Sequence, residues 1–367
     1  MKTYRGRVGL VQRVLPSYRA PFFEMLAEQC KDGLSVIAGQ PRLNEAIGAT
    51  PTLQKAKYYP AENIHILGGP FYLCYQRGLM EWLEDWDPDV LVVEANPRYL
   101  SAAVAAYWMK ERARPVIGWG LGAPPMRGTL AGVRQARRRN FLSRFNALIA
   151  YSRRGANEYA ALGFPPERIY VAPNAVAGRP QGDPPKRPAT LAGPARVIYV
   201  GRLQARKRID SLFRAAAALP TDLQPRLQIV GEGPARPELE QLAAQVYPEA
   251  EFSGAQYGPA LDALLASADL FVLPGTGGLA IQQALAYGLP VIVAEGDGSQ
   301  EDMVGPANGW LLLPDDEAAL QAALAEALSD PARLRRMGAA SYRLAQEQFN
   351  LETMVDGFIT ALNEVTQ

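Results

Sequence analysis

The chain has 367 residues, 48% of them hydrophobic, and balances 38 Lys and Arg against 37 Asp and Glu for a formal net charge of +1. That length exceeds one ordinary core and suits two domains of ~150 residues each, while no apolar run approaches the roughly 20 residues of a membrane span. The only two cysteines, Cys30 and Cys74, offer neither a metal spacing nor a disulfide framework and read as small apolar fillers.

Met1–Arg5 runs straight into a strand without the apolar core of a secretory signal, so the expected location is cytoplasmic. Val8–Val11 opens a series of short apolar strands separated by longer helical patterns, which is how parallel sheets covered on both faces read in sequence. After that strand, Ser17-Tyr18-Arg19-Ala20-Pro21 leads into a helix with Pro21 near its start, and Arg19 is a candidate for meeting an acceptor anion. The single histidine, His65, alternates within Asn63–Leu67 and reads as a strand residue rather than a base.

Asp85-Trp86-Asp87-Pro88-Asp89 has the look of a metal-binding pair. Pro88-Asp89 directly precedes the apolar strand Val90–Val93, however, which places these acids at the amino end, away from where such sheets bind ligands; no metal is expected. Glu94 ends that strand and is followed by Ala95-Asn96-Pro97-Arg98. Glu94 and Asn96 join Arg19 as acceptor-side candidates, with Glu94 binding a hydroxyl or assisting its deprotonation. The competing reading makes Asn96 a helix cap and Glu94 a first-turn charge.

Val116–Trp119 follows as another strand. Residues 98–154 hold twelve Lys and Arg against Glu111 alone. No recognisable module with stacking aromatics accompanies them, so nucleic acid is not an expected partner. An anionic membrane surface, approached from the inner face by a peripheral protein, and a solvated Arg-rich helix both stay open.

Between Pro173 and Pro194 five prolines, Pro180, Pro184, Pro185, Pro188 and Pro194, alternate with glycines and charges, so the segment reads as an interdomain linker. The expected organisation is a first domain over 1–175, a linker over 176–195 and a second domain over 196–349. A closing helix over 350–367, patterned from about Leu351 to Val365, is expected to cross back onto the first domain.

The second series opens with Val197–Val200. Gly201-Arg202 follows, and Lys207 comes five residues later: two cations after a strand-ending glycine, spaced for a diphosphate. Ile229-Val230-Gly231-Glu232-Gly233-Pro234, Phe252-Ser253-Gly254-Ala255 and Ala268–Pro274 come next. Then Pro274-Gly275-Thr276-Gly277-Gly278-Leu279 forms a glycine-rich turn into a helix beginning near Leu279, whose amides can face an anion or sugar hydroxyls. Ala284–Ile292, Gly296–Val304 and Asn308–Leu311 complete the series.

In that order these segments resemble the donor-binding half of GT-B glycosyltransferases of the retaining family four, in a bacterial subset whose donor loop reads Pro-Gly-x-x-Gly-Leu. The resemblance implies an α/β fold of two Rossmann-like, doubly wound parallel-sheet domains with an interdomain cleft. It also implies a metal-independent enzyme without a cofactor, which moves a sugar from a nucleoside-diphosphate donor, most readily a UDP or GDP sugar, to a hydroxyl on a glycan, a lipid-linked or a small-molecule acceptor. Arg202 and Lys207 would stabilise the leaving diphosphate. Gly201, Thr276, Gly277, Gly278 and Leu279 would hold donor phosphate or sugar, Gly254 and Ala255 the base, and Gln283 the ribose, with Glu301 orienting the loop or capping the next helix.

The chain departs from the family at two carboxylates and a histidine. Gly275 and Gln283 stand where many members carry Glu, and Leu121 stands where some carry an acceptor-side His. A non-catalytic nucleotide-sugar-binding protein and a GT-B epimerase or hydrolase are the alternatives.

Overall fold

The computed structural model describes every residue except 1, 43, 44, 46, 47, 51, 192 and 367, with the backbone alone at Pro70. The chain divides into two compact units, one formed by Met1–Val176 with Leu351–Gln367 and the other by Ala177–Asn350.

In the first unit the elements run β1 (Val8–Val14), α1 (Ala20–Gln29), β2 (Leu34–Gly39), β3 (Lys57–Pro60), β4 (Glu62–Ile66), β5 (Leu73–Arg77), α2 (Leu79–Trp86), β6 (Val90–Glu94) and α3 (Leu100–Lys110). They continue with β7 (Val116–Gly120), α4 (Ala131–Leu142), β8 (Ala147–Ala150), α5 (Arg153–Ala161) and β9 (Ile169–Val171). Seven strands pair in the order β3-β2-β1-β6-β7-β8-β9, all parallel, while β4 and β5 form a separate antiparallel pair. Both sheet faces are covered: Val90 and Val92 enter one buried cluster and Leu91 and Val93 the other. That is why β6 is apolar throughout rather than alternating.

The second unit repeats the plan with β10 (Arg196–Val200), α6 (Ile209–Ala217), β11 (Arg226–Val230), α7 (Arg236–Val246), β12 (Glu251–Gly254), α8 (Gly258–Ser267), β13 (Leu270–Leu273) and α9 (Leu279–Ala286). Then come β14 (Val291–Ala294), α10 (Gln300–Met303), β15 (Gly309–Leu312), α11 (Glu317–Ser329) and α12 (Pro331–Glu347). Its six parallel strands lie in the order β12-β11-β10-β13-β14-β15. In each sheet the order reverses once, between β1 and β6 and between β10 and β13. Loops leaving the carboxyl ends of strands at such a reversal diverge to opposite faces and leave a crevice for a ligand.

The segment expected to be a linker is bound to the second unit instead. Prolines deny its backbone a ladder, so side chains satisfy it. Gln282, fully buried in α9, accepts from the Ala177 N–H at 3.0 Å and donates to Phe349 O at 2.9 Å. The Tyr342 hydroxyl donates to Gln181 O and Gly182 O at 3.1 and 2.9 Å. Arg187 donates to Leu265 O, Ala268 O and Tyr287 O at 3.0, 2.6 and 2.9 Å, capping the carboxyl ends of α8 and α9, where carbonyls lack helical partners.

The last helix, α13 (Leu351–Val365), belongs to the first unit. Phe358 meets Phe22 and Trp119 edge-on, each at 4.9 Å between ring centroids, and the Tyr170 hydroxyl donates to Glu364 at 2.7 Å. No helix among the described residues is long and apolar enough to cross a membrane.

Candidate functional site

Several of the donor-side candidates lie in the loops at the strand reversal of the second sheet. The loop after β10 carries Gly201–Arg208, the loop after β13 carries Pro274–Gly278, and the two are joined. The Thr276 N–H donates to Arg206 O at 3.2 Å and the Arg206 guanidinium to Thr276 Oγ1 at 3.0 Å, while the Lys207 ammonium donates to Thr276 O. A Cβ built on Gly277 would stand 2.6 Å from Lys207 Nζ, so the ammonium lies against the glycine turn. Burial, reinforced by the neighbouring Arg206, pushes the Lys207 pKa down to about 8, with Asp297 pulling the other way. A cation so desolvated gains from a phosphate more than an exposed lysine would.

Gly275 explains one departure from the family pattern. A Cβ there would meet Arg206 O at 2.4 Å and the Lys207 backbone at 2.5 Å. The space a glutamate stem needs is filled by the loop carrying Lys207, so the missing carboxylate and the approach of the lysine are one structural fact. Gly231 does the same for the neighbouring loop, its Cβ position lying 1.9 Å from Gly201 O. This close approach lets Leu203 N–H donate to Glu232 O at 2.9 Å and Gly201 N–H to Val230 O at 2.9 Å. The buried Tyr199 hydroxyl adds a bond to Arg202 O at 3.1 Å, fixing the backbone that presents Arg202.

Of the other donor-side candidates, Gly278 precedes α9 directly and Leu279 is its first residue. Gln283 is partly buried, one position beyond the structural Gln282. Gly254 closes β12 and accepts from the Gly231 N–H at 2.8 Å, with Ala255 exposed after it. Glu301 is exposed in the first turn of α10. The residue beside it, Gln300, is fully buried: its amide donates to Gly277 O and its carbonyl accepts from the Gly298 N–H at 3.1 Å. Sequence reading passed over Gln300 because a lone glutamine before a four-residue helix carries no spacing signal. Arg208 turns away from the loop to pair with Asp315 and, at 3.6 Å, Asp210.

In the first unit, Arg19 lies in the loop after β1 and Glu94 is the last residue of β6, the two strands that flank the reversal. Glu94 accepts from the Arg13 N–H at 2.6 Å. Burial raises its pKa to about 7 against the opposing pull of that bond and of the charges on Arg13 and Arg19. Arg19 is 7% exposed, with its guanidinium 4.9 Å from the Trp119 ring centre and 5.4 Å from that of Tyr151; its Nη1 is buried without a hydrogen-bond partner among the described residues. Asn96 does not cap α3, whose preceding residue is Tyr99; its Oδ1 accepts from the Arg98 N–H at 3.1 Å in a local turn.

His65 lies in β4 with Nδ1 3.0 Å from the Tyr72 hydroxyl, its pKa lowered by burial and by Arg42. Asp87 is held by Arg7 at 2.8 Å and by Arg114, and Asp89 accepts from the Arg7 N–H at 2.7 Å, at the amino end of β6. Among the described residues no group of three or more His, Cys, Asp or Glu is arranged to hold a metal. Leu121, in the place of the family histidine, is 49% exposed.

Comparison with known proteins agrees with this layout. Residues 185–344 match the family model described as Glycosyl transferases group 1, and residues 38–175 match that described as Glycosyl transferase 4-like domain. A GDP-mannose-dependent alpha-mannosyltransferase of Mycolicibacterium smegmatis is 41% identical over 152 residues, 40% of this chain and 37% of that protein. A glycogen synthase of Mycobacterium tuberculosis is 34% identical over 178 residues, 46% of this chain and 42% of that protein. The chain thus matches less than half the length of these curated relatives. Among solved structures, HepE of Anabaena in complex with UDP shares the fold with a TM-score of 0.75 at 19% identity, covering 99% of this chain and 100% of that one. With both halves matched and two parallel α/β units in place, this chain belongs to the glycosyltransferases of the GT-B fold.

Proposed function

We propose that this protein transfers a sugar from a nucleoside-diphosphate donor to a hydroxyl acceptor with retention at the anomeric carbon. The observation that carries the reading is the half-buried Lys207 ammonium lying against the Thr276–Gly277 turn, on a loop that also presents Arg202. As the glycosidic bond breaks, negative charge grows on the departing diphosphate. Preorganised cations in a desolvated setting favour that state over the intact donor.

Arg202 and Lys207 supply those cations, the Gly277–Leu279 amides hold phosphate or sugar, Gln283 meets the ribose, and Gly254 and Ala255 support the base. Because the cations answer the diphosphate charge, no divalent ion is required, and activity is expected to persist in EDTA. UDP and GDP sugars are the donors of choice, in keeping with the UDP bound to HepE and the GDP-mannose named for the mycobacterial relative. On the acceptor side Glu94 receives the hydroxyl, whose proton passes to it or to the departing phosphate, and Arg19 meets an acceptor anion. Asn96 shapes the turn that follows Glu94.

A lipid-linked acceptor reached at an anionic membrane fits the exposed arginines of α4 and the adjoining Leu130 and Val133, which are 63% and 60% exposed. Co-sedimentation with anionic liposomes at low and high salt checks this part; indifference to the lipid removes it. The transfer itself is tested by incubating UDP- and GDP-sugars with panels of glycan, lipid-linked and small-molecule acceptors and reading the anomeric configuration by NMR. A product with the donor's configuration is expected. Tight nucleotide binding with neither transfer nor slow donor hydrolysis defeats the reading in favour of a non-catalytic binding protein.

A further inference from the structure

The amino end of the second sheet, opposite the donor loops, holds a second concentration of positive charge. A cavity of about 360 Å³ is lined by Lys186, Arg187, Arg196, Arg226 and Arg335 and by one carboxylate, Asp269: five cations against one anion, an excess of four. Arg196 and Arg226 are paired residues on the first rung of the parallel strands β10 and β11, so their side chains leave the same face of the sheet. Like charges placed directly opposite repel. Among the described residues neither of them, nor Lys186, has an ion-pair partner.

Asp269 cannot offset them. Its carboxylate already accepts from Arg335 Nη2 at 2.8 Å and from the Arg196 backbone N–H at 2.9 Å. Arg335 spends Nε on Pro188 O at 2.7 Å, while its Nη1 is buried with no hydrogen-bond partner among the described residues. Arg187 gives its N–H groups to helix-end carbonyls and so acts as a fixed charge in the wall. Burial first, and then Arg335, depress its pKa to about 10, which leaves it cationic at neutral pH.

We propose that this cavity binds a soluble, multiply charged phosphate compound, with its oxygens meeting the side chains of Lys186, Arg196 and Arg226 and with Arg335 as a fixed charge in the wall. A monoanion would leave most of the excess charge unanswered, whereas adjacent phosphates match several guanidinium forks at once. The volume lies at the small end of ligand pockets, about 300–1,000 Å³, and suits a metabolite rather than a polymer. The five residues of β10 separate it from Arg202 by ~17 Å at ~3.3 Å per residue. The site is therefore distinct from the donor loop, and its existence does not rest on the transfer reaction.

The test is calorimetric titration of tripolyphosphate into full-length protein carrying Arg202→Ala and Lys207→Ala, so that the donor loop cannot answer for the cavity. Binding is expected, and adding Arg196→Gln with Arg226→Gln is expected to weaken it at least about tenfold. Without ligand, those two changes should leave the melting temperature equal or higher because a like-charge pair is gone; tripolyphosphate should raise it only when both arginines are present. No binding to the parent, or equal binding after removal of both arginines, overturns the proposal. So does capture by phosphatidic acid vesicles without any response to tripolyphosphate.

Discussion

The two sheets solve the same problem at their strand reversals by different means. In the second unit the loops after β10, β11 and β13 hold one another through backbone atoms at glycines, and the cation Lys207 is laid onto the result. In the first unit the corresponding loops present single side chains: Glu94 is fixed by one backbone N–H of Arg13, and Arg19 is packed among aromatic rings. The proposed donor end is thus a cradle of interlocked backbone. The proposed acceptor end is built from individual side chains held by few bonds.

Substitutions can break that contrast or sharpen it. Restoring the family carboxylate with Gly275→Glu drives a side chain into the Arg206–Lys207 backbone. That overpacking, roughly 3 kcal/mol, should lower the melting temperature, and nucleotide affinity should fall rather than rise in calorimetry as the loop is displaced. Glu94→Gln should lower the transfer rate about 100-fold while leaving nucleotide affinity unchanged. The wild-type rate should also decline as pH falls through about 7 and the carboxylate is protonated, a limb absent from the variant.

The same shift has a stability consequence. A carboxyl whose folded pKa is raised contributes stability below its ordinary value of 4.5, and that contribution is lost as pH rises through about 7. Glu94→Gln should therefore melt higher than wild type above pH 7, with no such advantage below pH 4.5.

Gln300→Ala removes the two bonds that tie the Gly277 turn to the Gly298 loop and should weaken nucleotide binding about tenfold without changing the pH profile of transfer. The smallest effect is the pH dependence of nucleotide affinity itself. With the Lys207 pKa near 8, affinity should slip a few-fold between about pH 7 and pH 9 as the ammonium deprotonates, and Lys207→Met should flatten that slope.

How legible each end was in the sequence follows from the same contrast. A cradle made of backbone leaves glycines and cations at fixed spacings, so Gly201, Arg202, Lys207 and the Gly275–Gly278 turn are conspicuous in the sequence. What Gly275 excludes did not, because the atoms that fill its space come from a loop some seventy residues earlier. Gln300 and Tyr199 were equally silent: a glutamine tying two glycines and a strand tyrosine bonded to a loop carbonyl have no periodic mark.

At the proposed acceptor end, Arg19 and Glu94 are marked only as polar residues at or just after the ends of apolar strands. The burial of Arg19 and the desolvation that raises the pKa of Glu94 depend on packing that the linear order does not reveal. The proline-rich segment misled for a related reason. Lacking a ladder of its own, it is held by Arg187, Gln282 and Tyr342, two of which lie about a hundred or more residues away.

The most direct test is nucleotide affinity in the Arg202→Ala, Lys207→Ala double variant, measured by calorimetry with UDP and GDP at neutral pH. Losing two charge-assisted contacts of about 1.5–3 kcal/mol each should weaken the preferred nucleotide by at least about 100-fold, with the melting temperature of the unliganded protein little changed. A double variant that is folded and binds both nucleotides as wild type does would contradict the assignment of the diphosphate to this loop.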